Sequence, residues 1–129
     1  MSRTLLIAAG ISGFLAVALG AFGAHGLEGT LAAAADGAKR MEWWQTGAHY
    51  HLIHSLAIAL AGLLVPRTTG RAATTAGWAF IVGILLFSGS LYVMTLTGIR
   101  VLGAVTPFGG ASFMVGWASI AWAASTVSE

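Results

Sequence analysis

Four histidines and two tyrosines are the side chains of this sequence best suited to chemistry, and all six lie within or beside long stretches that carry no charge. Three of the histidines share one such stretch, His49, His51 and His54, with Tyr50 among them. Gly47, Tyr50, His51, His54, Ala57 and Ala61 recur at spacings of three and four, so in a helix they form one stripe of small and polar residues. A later stretch offers Ser88, Ser90 and Tyr92, and His25 closes the first stretch on the same side as the start of the second. The candidate intramembrane polar site is therefore His25, Tyr50, His54, Ser88, Ser90 and Tyr92, since polar groups in apolar spans are costly and normally face the interior.

Imidazole and phenol in such a setting support two kinds of chemistry. Neutral rings and hydroxyls can hydrogen-bond between helices at roughly 0.6 kcal/mol per contact. Alternatively, histidines can hold a metal or haem, but paired haem ligands must come from different helices at matching depth. Here His49, His51 and His54 share one helix, while His25 sits near the surface. No carboxylate lies inside the apolar stretches to complete a hard-metal site or to drive a proton relay through His54, Tyr50 and His51. Phe87-Ser88-Gly89-Ser90 lacks an acid to orient a base. Thr106-Pro107-Phe108-Gly109-Gly110 lacks the lysine of a phosphate loop. The expectation is an interhelical role with no catalytic residue, no metal ligand and no cofactor. His54 in particular is expected to be buried, neutral and bonded to Ser88, Ser90 or Tyr92.

The elements that must position these residues are set by charge. The chain has ten charged side chains, and none falls in Thr4–Ala24, Trp43–Pro66, Ala72–Ile99 or Val101–Ser128. The shortest of these has 21 residues, or about 31 Å of helix, against a hydrocarbon layer of about 30 Å. The fold class is thus an all-α membrane protein, a four-transmembrane-helix bundle forming a single polytopic domain over residues 1–129. The helices are expected at about 4–24, 38–65, 73–97 and 107–127. Asp36 suits an N-cap, Pro66 a stop, and Gly98 a C-terminal cap. Thr106 as N-cap with Pro107 at the first helical position starts the fourth helix, and Trp43 and Trp44 mark an interface. His54 lies 11 residues before Val65, about 16 Å from the helix end and so near the midplane. Gly13, Gly20, Gly83 and Gly110 are expected at helix contacts, where small residues permit close approach in lipid. The first stretch is longer than a signal-peptide core and rich in glycine, so it is expected to stay in the mature protein.

Composition agrees: 57% hydrophobic, 8% charged and a mean hydropathy of +0.86 do not suit a soluble domain. Six Lys/Arg against four Asp/Glu are scattered among the loops, which excludes a nucleic-acid partner. With no cysteine, disulfides and thiolate chemistry are excluded. The expected partners are the lipid bilayer and other membrane subunits or a second copy. Both termini fall on one side with Arg3, Arg67 and Arg71, against Lys39, Arg40 and Arg100 opposite. The count is three to three; the N-terminal amine adds weakly to the first side and the acidic Glu28, Asp36 and Glu42 of the opposite loop weigh little, which gives a slight preference for cytoplasmic termini.

Several blocks in order carry a family resemblance: Gly20-Ala21-Phe22-Gly23-Ala24-His25-Gly26-Leu27, Trp44-Gln45-Thr46, the Tyr50 and His54 pair, Phe87-Ser88-Gly89-Ser90-Leu91-Tyr92, and Leu102-Gly103-Ala104-Val105-Thr106-Pro107-Phe108-Gly109-Gly110. Over nearly its whole length the chain resembles the small four-helix membrane proteins grouped as domain of unknown function 423. That resemblance implies a bacterial inner-membrane protein with four spans and no established activity. His51 departs from the pattern, where relatives often carry Gln, and His49 lies outside it. The functional expectation is a non-catalytic accessory, assembly or scaffold protein of the inner membrane. The alternatives are a pore or carrier for a proton or small solute, and a histidine-based metal or haem module.

Overall fold

The computed structural model describes residues 1–127; Ser128, the last residue of the fourth apolar stretch, and Glu129 lie outside the described residues. Four long helices make up the fold, with short connections: α1 (Ser2–Leu31), α2 (Gly37–Leu64), α3 (Ala72–Thr97) and α4 (Thr106–Ala124). All four are long and apolar enough to span a membrane.

Helix α1 continues past residue 24, its expected end. A π turn at Gly23–Leu27 carries it on to Leu31. The cause is tertiary packing, which overrides the low helix propensity of Gly26 and Gly29. Leu27 and Leu31 are buried against Met41 and Trp44 of α2. Trp44 is buried among them, 2% exposed. Its indole covers Gly23 so closely that a Cβ there would overlap the ring, and its Nε1–H donates to the Leu19 carbonyl at 2.8 Å.

Helix α2 begins directly after Asp36, but that carboxylate makes no capping hydrogen bond. It lies 3.7 Å from Arg40 and 3.8 Å from Arg100, because two cations compete for it with the helix N–H groups. At the other end the chain tightens into a 3₁₀ turn at Val65–Arg67 around Pro66. Helix α3 contains a second π turn, at Ile84–Ser88, and ends at Gly98, whose φ of 72° is the left-handed conformation that glycine adopts freely. Arg40 closes this end. Its Nε donates to the Thr95 carbonyl at 2.7 Å and its Nη2 to Leu96 at 3.2 Å, while the Thr95 hydroxyl donates back to the Arg40 carbonyl at 3.0 Å. A guanidinium there satisfies carbonyls that the helix leaves open and opposes its negative dipole end.

The connection before α4 contains a 3₁₀ turn at Arg100–Ala104. Val105, not Thr106, occupies the cap position of α4, and Thr106 is its first helical residue. The Thr106 hydroxyl is diverted to Ser90 Oγ, 2.6 Å away. Helix α4 stops at Ala124, short of the expected 127, and Val127 forms a single antiparallel bridge with Thr68.

Helices α2 and α3 occupy the middle: 39% and 44% of their apolar windows are buried, against 17% for α1 and for α4. Helix α1 packs mainly on α2, and α4 mainly on α3. Leu5, Ile58 and Phe80 are almost completely buried in the core that joins them. Three glycines set the α3–α4 distance. A Cβ on Gly83 would overlap the Phe113 ring, one on Gly116 the Phe80 ring, and one on Gly109 the Phe87 backbone. The other glycines expected at contacts are looser: a Cβ on Gly13 would lie 4.0 Å from Ser55 Cβ, one on Gly110 3.9 Å from the Phe87 ring, and one on Gly20 would meet nothing within 4 Å.

Candidate functional site: two histidine networks

The small and polar stripe of α2 divides between two neighbourhoods. His51 faces α1 and α3, and His54 faces α4. Both rings are buried, at 5% and 4% exposure.

His51 Nδ1 is 3.0 Å from the Tyr92 hydroxyl of α3, and Nε2 is 3.2 Å from Ser12 Oγ of α1. Ser12 Oγ is 2.6 Å from Ser55 Oγ, and Ser55 donates to the His51 carbonyl at 2.8 Å. The direction of each proton follows. Ser55 has one proton and gives it to the carbonyl, so Ser12 must donate to Ser55. Ser12 can then only accept from His51, which requires a proton on Nε2 and leaves Nδ1 to accept from Tyr92. The neutral ring thus ties α1, α2 and α3 together by a chain that ends on a backbone carbonyl.

His54 is fixed in the opposite tautomer. Trp117 of α4 can only donate, and its Nε1 lies 3.2 Å from His54 Nε2. Nε2 therefore accepts, and Nδ1 carries the proton that is donated to the Tyr50 carbonyl at 2.7 Å. The imidazole stacks on Phe113 with centroids 3.5 Å apart and planes 9° apart, and meets Phe80 at 5.6 Å.

The six residues predicted as one polar site are not brought together. Tyr92 joins His51 rather than His54. Ser88 donates to the Gly47 carbonyl at 2.7 Å, joining α3 to α2, and Ser90 pairs with Thr106 and the Phe87 carbonyl. His25 sits exposed on the π turn of α1, and Tyr50 is 39% exposed against Phe87, 4.5 Å between centroids. The partners of His54 differ from those expected: Trp117 takes the place of Ser88, Ser90 or Tyr92. Ser12, Ser55 and Trp117 lie outside the residues singled out in the sequence, and His51, although on the polar stripe, lies outside the predicted site. A signal existed for Ser12, since it and Thr4 are the only hydroxyl residues in the first charge-free stretch.

Chemically, both nitrogens of both buried rings are already committed to protein donors or acceptors, which leaves no lone pair for a metal. Among the described residues every buried side-chain nitrogen and oxygen has a hydrogen-bond partner. Two grooves open beside the networks. One of about 440 Å³ lies between α1 and α3 over His51 and Tyr92, and one of about 630 Å³ lies between α2 and α4 over Tyr50 and Phe113.

The pattern of a family described as "Protein of unknown function (DUF423)" matches residues 19–110. The UPF0382 membrane protein YwdK of Bacillus subtilis (strain 168) is 44% identical over 123 residues, covering 95% of this chain and 96% of its own. The UPF0382 inner membrane protein YgdD of Escherichia coli (strain K12) is 46% identical over 120 residues, covering 91% and 86%. No solved structure matches significantly. With four spans, a family match over residues 19–110 and similarity to relatives along nearly the full length, this chain belongs to the DUF423 family of membrane proteins of unknown function.

Proposed function

We propose that the chain is a non-catalytic accessory protein of the bacterial inner membrane that acts through contacts with other membrane chains or with a second copy. The observation that carries this reading is the fixed direction of every proton around His51: the chain of hydrogen bonds from Tyr92 ends on the His51 carbonyl, which cannot pass a proton on. A relay needs an acceptor that can release what it receives, whereas an interhelical tie does not. The commitment of both nitrogens of His54 supports the same role for the second ring. Purification of the full chain from native membranes in mild detergent tests the reading. The expected result is a defined complex, with another membrane chain or with itself, and no visible absorbance. Stoichiometric haem or metal overturns it, as does proton flux in reconstituted vesicles that His51→Leu abolishes.

We further propose that both termini lie in the cytoplasm, with the α1–α2 connection outside. Since the chain has no cysteine, single substitutions Ala33→Cys and Thr69→Cys can be labelled in intact cells by an impermeant thiol reagent. Ala33 should label and Thr69 should not. The reverse pattern inverts the orientation, and equal labelling of both defeats the four-span arrangement.

A further inference from the structure

We infer that the groove between α2 and α4 is a lateral binding site for a lipid-soluble quinone-class molecule, a planar ring bearing carbonyl oxygens on an apolar tail. The groove has about 630 Å³, within the range of small-molecule pockets, which are concave and mostly apolar with a few convergent polar groups. Rings build its floor and sides. Tyr50 lies 4.5 Å from Phe87 and 6.2 Å from Phe113, and Phe87 lies 5.5 Å from Phe113. Trp117 stands half-exposed at the side, 43% accessible. Such faces favour a flat, delocalised ligand through offset stacking.

Two polar groups line this groove without a partner. Among the described residues neither the Tyr50 hydroxyl nor the His49 ring has a hydrogen bond, although both lie within the charge-free part of α2. All buried polar side-chain atoms of the described residues are satisfied, so the unpaired groups sit at the open groove and not in the core. In hydrocarbon, with no water at hand, each gains from an acceptor brought to it. The groove faces lipid, so its occupant must arrive from within the bilayer.

Depth selects among such occupants. Tyr50 is about 7 Å along the helix from the centre of the charge-free stretch, while phospholipid ester oxygens lie at the edge of the hydrocarbon, about 15 Å from the centre. A phospholipid brings chiefly acyl chains to this depth, its ester oxygens staying at the hydrocarbon edge. A quinone head moves through the hydrocarbon itself and can present a carbonyl to the Tyr50 hydroxyl.

The test measures uptake of oxidised decylubiquinone by the full-length protein in phosphatidylcholine nanodiscs, against empty discs. The expected result is saturable uptake near one quinone per chain above simple partitioning. Tyr50→Phe and His49→Leu, which change exposed groups and leave the rings of the core in place, should each weaken it about three- to tenfold, the range for one lost hydrogen bond. Ala111→Trp, filling the groove, should abolish saturable uptake, and Leu85→Ala, in the other groove, should leave it unchanged. Uptake equal to that of empty discs overturns the inference. So does saturable uptake that Tyr50→Phe and His49→Leu leave unaltered, or tightly held phospholipid that decylubiquinone fails to displace.

Discussion

Gly109→Ala is expected to lower stability in detergent by about 3 kcal/mol, the upper end of the usual cost of overpacking. The added Cβ would lie 2.7 Å from both Cα and Cβ of Phe87. These atoms belong to α3 just before its π turn closes at Ser88, and a helix backbone cannot rotate aside as a side chain can. Relief requires α4 to move away from α3, which would also loosen Phe80 against Gly116 and Phe113 against Gly83. In lipid that separation forfeits the dispersion contacts on which helix association depends, because the surrounding tails are as apolar as the helices. Gly20→Leu is the control: nothing lies within 4 Å of its Cβ position, so its effect should stay within about 0.5 kcal/mol. Thermal unfolding of both variants decides the matter. Wild-type stability in Gly109→Ala would refute the close approach. A comparable loss in Gly20→Leu would show that α1 packs against a second copy through its outer face.

The contrast between these glycines shows what the sequence could and could not reveal. The spans were legible because charge is excluded from hydrocarbon whatever the packing, so Arg3, Lys39, Arg67 and Arg100 bracket the helices without reference to neighbours. Gly98 and Pro66 were legible for a similar reason, since backbone conformation at each is set locally. Azimuth was not. Gly109 and Gly110 look alike in sequence, yet about 100° of helix rotation puts one against the Phe87 backbone and the other at ordinary contact distance. His51 and His54 share a stripe, but residues three apart differ by about 60° around the axis. That suffices to give one to α1 and α3 and the other to α4. The π turns at Gly23–Leu27 and Ile84–Ser88 shift the register beyond them. Ser88, within the second turn, and Ser90, just beyond it, bond to Gly47 and Thr106 rather than to His54 as expected.

His51→Leu is expected to destabilise the fold more than His54→Leu, although the family resemblance directed attention to His54. Removing the His51 ring strands the Tyr92 hydroxyl donor and the Ser12 acceptor together, on two different helices. Each unsatisfied buried group costs on the order of 1–3 kcal/mol, so the sum should be about 2–5 kcal/mol, the upper figure reduced because Ser12 is only partly buried. Removing the His54 ring strands only the N–H of Trp117, a residue 43% exposed, since the Tyr50 carbonyl already belongs to the helix ladder. The stack on Phe113 is lost, but leucine refills part of that volume, so about 1–2 kcal/mol is expected. Glutamine separates polarity from shape at both positions. At His51 its carbonyl can accept from Tyr92 and its amide can donate to Ser12, reproducing both directions of the chain, so His51→Gln should recover most of the loss. At His54 an amide cannot replace a ring stacked at 3.5 Å, so His54→Gln should be no better than His54→Leu. A double-mutant cycle with Tyr92→Phe completes the case, because the two losses should be strongly non-additive if Tyr92 donates to His51. Additive losses, or His51→Gln no more stable than His51→Leu, would mean that the protons do not run from Tyr92 through His51 to Ser12, and the interhelical role assigned to this ring would fall with them.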